Sequence, residues 1–256
     1  MSDILESIHI PTAGKTKQRI SMKDIFEQLN LSSQEKKILN SEIASIHLVG
    51  VLDSNTLRVQ SFVDEECVYE AIYVLQVFLK TDLHINTINE RLHMAFPNPI
   101  IILYLFENNN LISVALKRVN KSIKEKSVIE TFYSTNLFGI DEDHYSFIKL
   151  LDFQHIQALN LKEFYEKLTD IIYSERLIKL IGKYPDKIPN SFDLKIGIKR
   201  VENEVTILNG LKDKYNQASM MAEKMDYHMK IKNKENELVD CIINLKGEIH
   251  YEKKNN

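Results

Sequence analysis

The sequence predicts an α+β fold: a mixed sheet of about five strands with a crossover helix, then an all-helical C-terminal region with a long amphipathic or coiled-coil helix. Three observations predict it. Apolar, β-branched runs between Ile43 and Phe138 surround a single segment of helical spacing. From Tyr145 onward the apolar pattern is helical throughout. In the last quarter, Leu194, Ile198, Val201, Val205 and Leu208 follow a four, three, four, three spacing, which is a heptad pattern.

The elements follow in order. Ser21 with Asp24, and Ser32 with Glu35, are capping-type starts for two short helices. "IASIHLVGVL" (Ile43 to Leu52) reads as a strand. "VYEAIYVLQVFLK" (Val68 to Lys80) reads as a longer one, apolar on both alternating faces, which puts it near the sheet centre. In "TDLHINTINERLHMAF", Ile85, Ile88, Leu92 and Ala95 have helical spacing, with Thr81 or Asp82 as cap and Pro97 as stop. "PIIILYLF" and "LISVALKRV" flank "ENNN" and form a hairpin, because asparagine tolerates positive φ. "VIETFYSTNLF" (Val128 to Phe138) is one more strand.

"SFIKLLDFQHIQAL" and "LKEFYEKLTDIIYSERLIKLIG" are amphipathic helices, and "KYPDKIPNS" is a proline-containing break. The expected organisation is an α/β domain over residues 1–150, a helical connector over 151–185 and a helical or coiled-coil region over 190–250. The heptad pattern continues less cleanly through Tyr215, Met225 and Met229, with Asn209-Gly210 as a weak point. A single helix there would reach ~75 Å, so a hairpin or pairing with another chain is expected.

Composition sets limits. Of 256 residues, 44% are hydrophobic and 27% charged, which excludes a disordered chain. The net charge of -3 carries no general demand for nucleic acid or an anionic membrane. Cys67 and Cys241 are far apart and fit a reduced cytoplasm. The opening "MSDILESIHI" has no basic region before an apolar core, so no signal peptide is expected. "PIIILYLF" is far short of the ~20 residues of a membrane helix.

Gly14-Lys15-Thr16 is how a phosphate-binding loop ends. Such a loop needs a glycine five residues earlier, where His9 stands, and it must join a strand to a helix. A basic surface linker is the expected structure. A restriction-type nuclease would place a carboxylate two residues before Lys80, and Phe78 occupies that position. Asp64, Glu65, Glu66 and Glu70 lie upstream as a loop. The eight histidines form no H-x-x-x-H pair, and Cys67 has no nearby histidine to activate it, so no catalytic residue, metal site or cofactor is expected.

Two surfaces remain. The basic run Lys117, Arg118, Lys121, Lys124 and Lys126 has the composition to touch phosphates, although aromatic interleaving is absent. The C-terminal helix carries Val201, Val205, Leu208, Tyr215, Met225 and Met229 as a partner-binding stripe.

The ordered segments resemble a family. The Pro11 to Arg19 loop leads into "SMKDIF". Then come "LSSQEKKILNSEIASIHLVGVL", "FVDEECVYEAIYVLQVFLK", the "PNPIIILYLF…LISVALKRVNK" hairpin and "EKMDYHMKIKNKENEL". Together they resemble the bacterial domain-of-unknown-function family 4391 (DUF4391) over nearly the whole chain. The resemblance implies genes beside helicases and DNA methyltransferases in restriction-like or antiphage cassettes. It implies an accessory role and supplies no catalytic residues. The expectation is a cytoplasmic, non-catalytic interaction subunit that partners a helicase or methyltransferase of its operon, with self-association through the C-terminal helices as a further expectation. The alternative is a nucleic-acid-binding or degenerate nuclease domain that contacts DNA.

Overall fold

The computed structural model describes residues 4–120, 127–181, 184 and 191–251. They fall into two compact units, Met1–Tyr173 and Ser174–Asn256.

In the first unit, α1 (Ile4–Ser7) and a single 3-10 turn (Thr12–Gly14) precede β1 (Lys15–Ile20). Helices α2 (Met22–Gln28) and α3 (Ser33–Glu42) both begin on complete capping boxes, Ser21 with Asp24 and Ser32 with Glu35. Strand β2 (Ile43–Asp53), the single turn α4 (Ser54–Leu57) and a small ribbon of β3 (Phe62–Val63) and β4 (Val68–Tyr69) follow. Then come β5 (Ala71–Leu79), α5 (Ile85–Ala95), β6 (Ile100–Phe106), β7 (Asn109–Val119) and β8 (Ser127–Ser134). The unit ends with α6 (Tyr145–Leu150) and α7 (Leu161–Ser174).

The main sheet has six strands in the order β1-β2-β5-β6-β7-β8. Only β5 and β6 run parallel, and α5 is their crossover. The mixed sheet, its crossover helix and the helical C-terminal region are as expected. The sixth strand comes from Lys15–Ile20, which had read as a linker. Ile20 packs against the core, while Lys15, Lys17 and Arg19 are exposed. Open edge strands favour such lysines, because charge discourages a second chain from pairing there.

Alternation along β5 builds two buried layers. Leu75, Val77 and Leu79 join Ile25, Leu39, Ile88 and Leu92 from α2, α3 and α5. Ile72 and Val74 point the other way and are also fully buried. Helices α6 and α7 contribute Phe147, Phe164, Leu168 and Ile172 to the buried residues. Tyr165 of α7 reaches the backbone where β6 and β7 part. Its hydroxyl accepts from Ala115 N at 3.0 Å and can donate to Ile100 O at 2.8 Å.

Three local expectations are corrected. The predicted strand Val68 to Lys80 is broken at Glu70, and its first two residues belong to the separate ribbon. Helix α5 starts on His84, not on Thr81 or Asp82; the His84 N–H instead donates to the buried Glu42 carboxylate at 3.0 Å. In the β6–β7 hairpin the positive φ falls on Glu107 and not on an asparagine.

The second unit contains α8 (Arg176–Ile181), α9 (Ser191–Gln217) and α10 (Met221–Tyr251). The last two pack against each other as an antiparallel hairpin, tied by Lys212 to Glu235 at 3.1 Å and by Lys234 to Glu204. The expected weak point, Asn209-Gly210, lies inside α9. A helical glycine costs about 1 kcal/mol, which a long packed helix absorbs. The chain turns instead at Ala218–Met220. Of the proline break "KYPDKIPNS", all but Tyr184 and Ser191 lies outside the described residues. Among the described residues no helix is long and apolar enough to cross a membrane.

Candidate functional site: a basic-edged cleft and an exposed helix face

Gly14-Lys15-Thr16 leads into a strand, so no helix N-terminus faces an anion there. Gly14 has another reason to be glycine. A Cβ at this position would sit 2.5 Å from the Val51 carbonyl oxygen of β2. Gly14→Ala should therefore destabilise the first unit by about 1–3 kcal/mol, read as a lower Tm with unchanged far-UV dichroism. A variant as stable as the wild type would refute this close-packing role.

The acids upstream of Lys80 lie at the opposite end of β5, roughly 30 Å away along nine residues of strand. Asp64 is committed to the ribbon turn, where its Oδ1 accepts from Glu66 N at 2.8 Å and Cys67 N at 2.7 Å. Lys80 donates to the Asn40 carbonyl at 3.1 Å. This arrangement does not bring the carboxylates and lysine of a metal nuclease into one cleft. Among the described residues no group of three or more His, Cys, Asp or Glu could hold a metal ion.

The basic run does not form one surface. Lys117 is buried, and its ammonium donates to three backbone carbonyls: His93 at 2.8 Å, Phe96 at 2.7 Å and Asn98 at 2.8 Å. These lie at and just beyond the C-terminal end of α5, where a cation also favours the helix dipole. Burial pushes the Lys117 pKa down to about 7. Its assignment as a phosphate contact is corrected, because an ammonium spent on three carbonyls beneath a helix has no free donor. Beside it His93 is buried on the same side, with Nε2 3.1 Å from Ser113 Oγ. Burial, then the charge of Lys117, holds the imidazole pKa well below its usual value. Arg118 is half-exposed and pairs with Glu130 at 3.6 Å. Lys121, Lys124 and Lys126 lie outside the described residues.

A cleft of about 740 Å³ opens on the sheet beside β1. Residues paired across the strands form its floor. His47 and Gln76 stand side by side on β2 and β5. His47 meets Phe78 edge to face, with ring centroids 5.8 Å apart. Val49, Ile10 and Leu5 add apolar wall, and Lys15 and Lys17 border it from the edge strand. Sequence reasoning missed this site. The available signals were a buried Gln76 inside the apolar "YVLQVFLK" and a histidine inside "IHLVG".

On the helical hairpin the expected partner stripe divides in two. Val201 and Leu208 are buried, and Val205 and Tyr215 are partly covered. Met225 and Met229 are 64% and 63% exposed. The physical reason is the turn at Ala218–Met220, which ends the seam of α9. On α10 the covered positions include Tyr227, Ile231, Leu238 and Leu245, at helical spacing. Met221, Met225, Met229, Val239 and Ile243 fall on the far side of that helix, all exposed.

No curated protein and no solved structure matches the chain. A family profile described as "Domain of unknown function (DUF4391)" matches residues 8–238, which takes in β1, the whole main sheet and most of the hairpin. The chain belongs to the DUF4391 family.

Proposed function

We propose that the protein is a non-catalytic accessory subunit of a bacterial restriction-like or antiphage system. It works in the cytoplasm, without a cofactor, by binding a helicase or DNA methyltransferase encoded in the same operon. The observation that supports this reading is the outer face of α10. Five large apolar side chains there, from Met221 to Ile243, are each more than half exposed. Their spacing aligns them over 22 residues, about 33 Å of helix. Apolar strips of this kind mark interaction surfaces, and methionine adapts its shape to a partner. The alternative of a DNA-binding surface on the basic run has less support, since Lys117 is buried and Arg118 is paired.

The test is co-expression of the full chain with the neighbouring operon products, followed by size-exclusion chromatography with light scattering. The expected result is a defined complex that Met225→Glu with Met229→Glu dissolves, while the variant keeps the wild-type helix content. A lone monomer, or a complex indifferent to the paired substitution, would refute docking through this face.

A further inference from the structure

We propose that the cleft beside β1 binds a free mononucleotide, an activity separate from docking through α10. The three parts of such a ligand each find matching chemistry. A base needs an apolar and aromatic surface with a few polar groups to orient it. Phe78 and Val49 supply the first, and His47 stands beside them. A phosphate needs cations free to turn toward it. Lys15 and Lys17 are exposed and line the rim. Neither lysine is held by a carboxylate among the described residues. Ribose hydroxyls are recognised by a carboxylate, and among the described residues Glu6 is the one acid lining the cleft. The volume of about 740 Å³ lies within the range of small-ligand sites.

The simpler account of the two lysines is that they keep an edge strand soluble. That account explains charge on the edge. It does not explain why both lysines border an apolar floor carrying a histidine. The phosphate contact proposed here comes from strand side chains and not from a backbone cradle. It therefore survives the failure of Gly14-Lys15-Thr16 as a nucleotide loop.

Calorimetric titration of the full chain at low salt tests the proposal, with AMP, GMP, CMP and UMP as probes. At least one is expected to bind with a Kd below about 1 mM. The corresponding nucleoside should bind at least ~10-fold more weakly, because it lacks the phosphate. Lys15→Ala with Lys17→Ala should weaken the monophosphate by ~10-fold and leave Tm unchanged, since both side chains are exposed. The proposal is overturned if no monophosphate binds, or if the paired variant binds as the wild type does. It is equally overturned if a short 5′-phosphorylated oligonucleotide binds more than ~10-fold tighter than any mononucleotide, which would make the cleft part of a strand-binding track.

Discussion

Lys117→Met should lower the stability of the first unit by about 3 kcal/mol at neutral pH, measured by urea unfolding. Methionine keeps the length and apolar stem of lysine but offers no donor. The carbonyls of His93, Phe96 and Asn98 then lose the one group that satisfies them together. Leaving a buried acceptor unpaired costs about 1–3 kcal/mol, and part of that is regained from water at the half-buried end of α5. The effect should also depend on pH. Burial lowers the Lys117 pKa from 10.5 to about 7, so between these values the unfolded chain holds a proton that the native protein releases. Stability from this group rises with pH across that window and is lost as pH falls toward about 7. The wild type minus variant difference should therefore grow from pH 7 to pH 10. A flat difference would show that Lys117 stays an ammonium throughout, held by the match of its three N–H bonds to three carbonyls.

Tyr165→Phe should cost about 2–3 kcal/mol, although only one oxygen is removed. The hydroxyl lies fully buried, and Ala115 N–H donates to it at 3.0 Å. The ladder between β6 and β7 ends at Ile101 and Val114, so the next residues, Ile100 and Ala115, rely on Tyr165 instead of each other. Burial raises the phenol pKa, so it stays a neutral donor and acceptor. Phenylalanine would fill the space and orphan a buried amide, which carries the full desolvation cost. Equal unfolding midpoints for variant and wild type would show that the strands close without it.

Much of the fold was legible, because local chemistry and packing agree there. Ser21 and Ser32 name their helix starts through acceptors that reach the right N–H groups. The two-sided alternation of β5 declares a central strand. What was missed depends on phase and context. Lys117 looked like part of a charge run, yet Leu111, Ser113 and Ala115 already mark its side of β7 as buried. Following the two-residue period one step further would have sent it under α5. The edge strand was hidden because charged residues fill half of it and only one neighbour pairs with it. The hairpin turn at Ala218–Met220 has neither proline nor glycine to announce it, whereas Gly210, which looks like a break, stays helical. The cleft was least legible of all. Its residues come from α1, β1, β2 and β5, and only the strand register brings them together.

The position of β1 has a dynamic consequence. It shares its hydrogen bonds with β2 alone, and its ladder there is interrupted between Lys15 and Gln18. It can fray while the five strands from β2 to β8 keep their pairing, so its amide protons should exchange through a local opening far cheaper than global unfolding. Anything seated against Lys15 and Lys17 must hold that strand closed. Occupancy of the cleft would therefore register as slowed exchange along Lys15–Ile20.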